Sequence, residues 1–222
     1  MKRDGTASDH LLMQAAATPQ DEPVAGLSGT PESILLQALL AQVLDRANLR
    51  RALKQVRQNK GAPGIDGMTV DELPEYLKQH WLEIRAQLES RRYRPQPVKR
   101  VEIEKADGKK RPLGIPTVLD RFIQQAIAQV VSAQWEPHFN THSYGFRPGR
   151  GCKDALRRVE ELLRAGRTHV VDVDVRGYFD SIPHDRLMAL VREHIADGRV
   201  LGLIEGFLKQ GVMEGTELAK IV

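Results

Sequence analysis

Val171-Asp172-Val173-Asp174-Val175-Arg176-Gly177-Tyr178-Phe179-Asp180 is the stretch on which the fold turns. With Thr168, His169 and Val170 ahead of it, the run is rich in β-branched residues, the composition of a strand. Strand residues alternate faces, so Asp172 and Asp174 project to one side and the valines to the other. Two carboxylates on one face repel each other unless a cation sits beside them. Mg2+, which prefers hard oxygen ligands, is the economical partner. A solvent-facing acidic edge strand fits the same alternation. After the strand, a short turn presents Tyr178 and Phe179.

Downstream, two helical stretches carry the chain past Pro183 to about Gln210. Upstream lies a basic helix to about Arg164, entered from a glycine-rich loop over 140–151. Before the loop, Phe122, Ile123, Ala126, Ile127, Val130, Val131 and Trp135 recur at helical spacing, which predicts a helix over 120–139. Residues 98–105 alternate apolar and charged, then Asp107-Gly108 turns the chain into a second extended segment, the pattern of a β-hairpin with a basic tip. A helix from Val70 presents Leu73, Tyr76, Leu77, Trp81, Ile84 and Leu88 on one face. Thr30-Pro31-Glu32-Ser33 caps an earlier helix that runs, with one interruption, to about Arg57. Residues 1–33 lack any apolar period and are expected to be a mobile extension. The domain reading is a 1–33 extension, N-terminal helices with the hairpin over 34–150, and the acidic strand with its flanking helices over 151–222. Helices and a few strands without strict βαβ alternation make an α+β fold.

The 222 residues carry a net charge of +4, compatible with a polyanionic partner without demanding one. The distribution is more pointed. From Arg91 to Arg111 stand nine basic residues against three acids, and Arg147, Arg150, Lys153, Arg157 and Arg158 follow Tyr144 and Phe146. Basic residues beside aromatics can track a nucleic-acid backbone while stacking on its bases, although solvated helix faces give similar runs. A single cysteine, Cys152, rules out an intrachain disulfide, and no apolar run reaches the length of a membrane span. The expectation is a cytoplasmic protein without a membrane partner. His138 and His142 stand four apart with no further ligand pair nearby, so a structural zinc site is not expected.

Four motifs in order resemble the group II intron-encoded reverse transcriptases and maturases. Residues 60–67 (Lys-Gly-Ala-Pro-Gly-Ile-Asp-Gly) are similar to their N-terminal motif, and 105–116 with Asp120-Arg121 to their fingers hairpin. Residues 143–152 (Ser-Tyr-Gly-Phe-Arg-Pro-Gly-Arg-Gly-Cys) are similar to the insertion before the first carboxylate strand, and 172–180 to that strand and its turn. The resemblance implies the right-hand polymerase fold, with fingers and an incomplete palm. It implies an RNA-directed DNA polymerase whose partners are group II intron RNA, an RNA template, a DNA primer and deoxynucleoside triphosphates. Asp174 is then the catalytic metal ligand of a two-metal Mg2+ site, the Val175 carbonyl a second ligand, and Phe179 the steric gate against a 2′-hydroxyl. Arg111, with Lys105, contacts the nucleotide. Arg91, Arg92, Arg94, Lys109, Lys110, Phe146 and Arg147 face template or other RNA.

The sequence departs from that pattern in having no Tyr-x-Asp-Asp box and no Pro-Gln-Gly segment. The family's remaining carboxylates come from that box, so the chain is expected not to polymerise by itself. A truncated or decayed reading frame and an excised fragment read alike. A palm that stops after one strand exposes an edge, so self-association is expected. The rival reading is a non-catalytic RNA-binding module.

Overall fold

The computed structural model describes residues 38–104, 108, 110–175, 177–214 and 217–219. The N-terminal extension, its Thr30–Ser33 cap, Lys105 and Lys109 lie outside these. The described chain forms two compact units. One holds the residues up to Val130 and those from His184 on, and the other is Val131–Pro183. The division does not follow the sequence boundary at residue 150, because the chain leaves the first unit within a helix and returns to it at His184.

In the first unit, the expected helix to about Arg57 is interrupted between α1 (Leu39–Val43) and α2 (Arg46–Gln58), at a place the sequence reading does not specify. Asp45 makes the break: its carboxylate accepts from the Ala47 and Asn48 amides, two of the four N–H groups that open α2 unpaired. α3 (Leu73–Glu89) starts at Leu73 rather than Val70 and buries Leu73, Leu77, Trp81, Ile84 and Leu88, while Tyr76 is 36% exposed. Trp81 meets Phe122 of α4 (Val118–Trp135) edge-on at 6.2 Å. α4 ends four residues short of the expected 139, and a 3-10 turn, Glu136–His138, follows. Pro137 has no N–H to continue the ladder and its ring crowds the preceding turn. α6 (His184–His194) and α7 (Gly198–Leu208) complete this core with Met188, Val191, Val200 and Leu203, and Ile195 from the link between them.

The hairpin forms as its alternation predicts. β1 (Val98–Glu104) pairs antiparallel with β2 (Lys110–Ile115), from Lys99 opposite Ile115 to Glu104 opposite Lys110. Gly108 adopts φ +75°, open to glycine without strain. β3 (Val212–Glu214) and β4 (Glu217–Ala219), which the sequence reading did not assign, extend the sheet to the order β2-β1-β3-β4, with β1 and β3 parallel. These strands have three residues each, too short for any period to register.

The second unit holds the end of α4, the 3-10 turn, the loop to Gly151, and α5 (Cys152–Arg164), where Asp154 accepts from the Gly151 amide at 2.9 Å. The strand expected over 168–175 is not formed, which corrects the sequence reading. β-branched composition favours a pleated, half-buried surface only where a neighbouring strand takes up the backbone donors and acceptors. No described strand pairs with this segment, and Val170, Val171 and Val173 are 77–87% exposed. No helix among the described residues is long and apolar enough to cross a membrane.

Candidate active site and nucleic-acid surface

Asp172 and Asp174 lie exposed in a segment without regular secondary structure or strand pairing. Without a pleat, the alternation that would set both carboxylates on one face is not imposed. The turn after them is formed. Gly177 takes φ +61°, the Ser181 amide donates to the Gly177 carbonyl at 3.0 Å, and the Ser181 hydroxyl to the Tyr178 carbonyl at 2.9 Å. A 3-10 turn, Phe179–Ser181, results, in which the Tyr178 and Phe179 rings meet at 5.4 Å and 66°. Phe179 remains 83% exposed, five residues beyond Asp174. Among the described residues no three His, Cys, Asp or Glu side chains gather into a metal-binding group. The Asp174 carboxylate and the Val175 carbonyl are hard oxygens of the kind Mg2+ accepts, and two such donors are too few for a cage.

Also in the second unit, Arg147 organises the loop that follows α4. Its Nε and Nη2 donate to Glu136 Oε1 at 3.0 and 2.8 Å, and Nη2 also reaches the Glu136 carbonyl at 3.3 Å. Nη1 donates to the carbonyls of Asn140, at 2.6 Å, and Ser143, at 3.0 Å. The guanidinium sits 5.3 Å from the Phe139 ring centre, and the side chain is only 7% exposed. Phe146 beside it takes φ +56° and is fully exposed. Arg150 donates to the Thr141 carbonyl and lies 5.9 Å from the Tyr144 ring.

In the first unit the basic residues line the hairpin and the turn leading to it. Arg111 stands opposite Ile103 and is exposed. Lys110 pairs with Glu102 at 2.7 Å across the strands. That hydrogen bond, with the attraction between the charges, holds the Lys110 ammonium above its ordinary range and the Glu102 carboxyl below its own. Arg91, Arg92 and Arg94 are exposed where the chain reverses after α3. Arg91 has φ +59°, Arg92 Nε donates to Ser90 Oγ at 2.9 Å, and Arg94 Nη1 to the Arg91 carbonyl at 2.8 Å.

Behind the hairpin, Asp120 is fully buried and joins segments distant in sequence. Its Oδ1 accepts from the Tyr93 hydroxyl at 2.8 Å. Its Oδ2 accepts from the Gln96 amide at 3.0 Å, Thr117 Oγ1 at 2.9 Å and Gln210 Nε2 at 3.2 Å. Burial raises the Asp120 carboxyl, and the hydrogen bonds from Tyr93, Gln96 and Thr117 only partly oppose it. Burial first, then the Asp120 charge, pushes the Tyr93 hydroxyl well above its usual range. Beside it, Gly64 lies so close to the start of α4 that a Cβ would stand 2.7 Å from Thr117 Cα. Sequence reasoning quoted Asp120 only as part of a motif and did not single out Glu136. The one available signal was an acid inside or ending an otherwise apolar helix.

A family profile for reverse transcriptase (RNA-dependent DNA polymerase) matches residues 103–221, which takes in the hairpin, the Arg147 loop and the Asp174 segment together. The chain belongs to the reverse transcriptase family. It is 37% identical over 190 residues to protein YkfC of Escherichia coli (strain K12), covering 83% of this chain and 50% of that protein. It is 36% identical over 170 residues to the group II intron-encoded protein LtrA of Lactococcus lactis subsp. cremoris, covering 76% of this chain and 28% of LtrA. This reverse transcriptase chain thus spans half or less of the length of these relatives. Its fold is that of a chain in a solved partial Cas6-RT-Cas1–Cas2 complex, at a TM-score of 0.50 and 16% identity, over 90% of this chain and 33% of that one. The group II intron resemblance of its motifs agrees with the relatives found, and the α+β reverse transcriptase fold holds.

Proposed function

We propose that this reverse transcriptase chain serves a group II intron, binding intron RNA and contributing the fingers and first carboxylate of an RNA-directed DNA polymerase. The observation that carries the reading is the joint presence, inside the matched span, of the basic hairpin and of Asp174 followed by the Tyr178-Phe179 turn. In the reaction a primer 3′-hydroxyl attacks the α-phosphorus of a deoxynucleoside triphosphate, and pyrophosphate leaves. Asp174 and the Val175 carbonyl would hold Mg2+, which supplies charge neutralisation at the phosphates when bound. Arg111 and Lys105 neutralise and orient the triphosphate, the planar guanidinium suiting bidentate contact. Phe179 stands under the sugar and excludes a 2′-hydroxyl. Arg91, Arg92, Arg94, Lys109 and Lys110 meet RNA phosphates, and the loop bearing Phe146 and Arg147 meets the template. The expected setting is the cytoplasm.

Two-metal phosphoryl transfer needs carboxylates from more than one segment. The 222 residues hold no Tyr-x-Asp-Asp box. The chain by itself is therefore expected to bind RNA without extending a primer. The purified chain is assayed for template-directed extension with Mg2+, and for broadening of the 172–175 amide NMR signals by Mn2+ with a deoxynucleoside triphosphate. Broadening that disappears in Asp174→Asn supports the partial site. No broadening removes the metal role, and extension abolished by Asp174→Ala overturns the inactivity.

A second reading, a non-catalytic RNA-binding module, draws on the unpaired state of the acidic segment. It predicts salt-dependent RNA binding that is indifferent to Asp174→Ala and weakened by replacing Arg91, Arg92 and Arg94.

A further inference from the structure

Arg147 follows the exposed Phe146 in a loop assigned above to the template, and its charge invites a phosphate contact. The bonding around it points elsewhere. A guanidinium has five N–H donors. All five are engaged within the chain, by Glu136 Oε1 twice and by the carbonyls of Glu136, Asn140 and Ser143. Glu136 also neutralises the charge, and the side chain is 7% exposed. A phosphate would have to displace a charge-assisted pair already desolvated, along with three carbonyls that lose their donor. What the bonds accomplish is local. They gather the end of the 3-10 turn, the Asn140 turn and Ser143 around one planar group, so the chain reaches residue 146 along a fixed path.

At that point stands a non-glycine residue in the left-handed region, with its whole ring in solvent. A backbone conformation of this kind is strained for a residue with a Cβ and persists only where the surroundings overdetermine it. Among the described residues no packing shields the ring, which is fully exposed. A planar apolar face held out beside basic residues suits an unpaired base, which offers a π-face whatever its identity.

We propose that Arg147 is a positioning residue, not a nucleic-acid contact, and that the loop it clamps presents Phe146 to stack on a base of single-stranded RNA. The stacking half rests on the nucleic-acid reading above, while the clamp half does not. Lys in place of Arg147 retains the charge but offers one compact ammonium, which cannot serve acceptors spread round a planar fork.

The test uses the full 222-residue chain and a fluorescein-labelled single-stranded RNA of mixed sequence, titrated over a range of salt. Phe146→Ala is expected to weaken binding about 5- to 100-fold with the salt slope unchanged. Arg147→Lys and Arg147→Gln are expected to weaken it alike, also at unchanged slope, and the double variant Phe146→Ala/Arg147→Lys to bind no worse than Phe146→Ala. A phosphate contact predicts the reverse: Arg147→Lys close to wild type, and Arg147→Gln lowering the slope by about 0.7. That outcome overturns the proposal, as do additive losses in the double variant. In the absence of RNA, amide exchange over residues 139–146 is expected to quicken in Arg147→Lys, and unchanged exchange sinks the clamp. Should Arg147→Lys not fold, Glu136→Gln, which keeps an acceptor but loses the charge, reads the same loop and is expected to lie between wild type and Phe146→Ala. A wild-type chain that binds no RNA overturns the proposed function and the stacking role, with the exchange result still judging the clamp.

Discussion

Replacing Asp120 by alanine removes an acceptor that four donors share. The Tyr93 hydroxyl, Thr117 Oγ1, Gln96 amide and Gln210 Nε2 all point at it, and Tyr93, Thr117 and Gln210 are 7%, 1% and 6% exposed. Water cannot readily take the carboxylate's place. A buried donor left unpaired costs about 1–3 kcal/mol. Gln210 retains the Gln96 carbonyl at 2.7 Å, so not every donor is stranded. Two stranded donors and the small cavity together put the loss at about 3–5 kcal/mol, a large part of the roughly 5–15 kcal/mol that holds a domain folded. Asparagine should be far milder. Its carbonyl oxygen can face the three donors at Oδ2, and its amide can donate to the Tyr93 hydroxyl, which turns to accept, for a loss of about 1 kcal/mol. Urea unfolding followed by tryptophan fluorescence and circular dichroism measures both. An alanine variant within 1 kcal/mol of wild type, or an asparagine variant less stable than alanine, refutes the reasoning. The pH dependence has a definite sign. The folded carboxyl titrates above its unfolded value, so its contribution is fully present below about pH 3.9 and declines as pH rises through the folded value. The gap between wild type and Asp120→Asn should therefore be larger at pH 4 than at pH 7.

Asp197 runs the opposite way: burial acts to raise its carboxyl, but hydrogen bonds from Arg199 and the Leu40 amide outweigh it and leave the group below its usual range. Asp197→Ala should cost about 2–3 kcal/mol near neutrality by releasing the cap of α7 and the buried Leu40 amide, and thermal melts should show that gap closing as pH falls below about 3.9. Gly64→Ala drives a Cβ into the backbone of Thr117 and Pro116 at 2.7–3.0 Å, none of it free to swing aside, so a loss of about 2 kcal/mol in the same urea assay is expected. Asp174→Ala, in an exposed segment, should leave stability within about 0.5 kcal/mol of wild type, and a larger loss would mean the acidic segment is packed in solution.

What could be read from the sequence was what neighbours along the chain decide. The apolar face of α3 and the paired strands of the hairpin follow from local period, and an interruption between the first helices does too, though not its place at Asp45. The segment over 168–175 shows the limit. Its valines state a preference for a pleated sheet, and a preference cannot supply a neighbouring strand. The site divides similarly. The Tyr178-Phe179 turn after Asp174 was legible, since Gly177 and a short 3-10 turn make it. Arg147 was legible as a charge in a basic run and, by resemblance, as a residue facing the template. That its donors close on Glu136, eleven residues back, depends on a loop path no period encodes. Asp120 was hidden for the same reason, because its partners come from before the hairpin and from beyond α7.

The parallel pairing of β1 with β3 sets an order of events for a growing chain. β1 and β2 can zip together as soon as both have emerged, since they are neighbours in sequence. Val98 cannot meet Val212, nor Gln96 meet Gln210 across 114 positions, until the chain has grown past residue 212. Closing so long a loop is slow, and its entropy is lost before the contacts return anything. During synthesis the open side of β1 is thus a waiting edge that any passing strand can occupy, and Gln210 is the latch that arrives last. The residues just beyond α7 decide when the hairpin stops being adhesive.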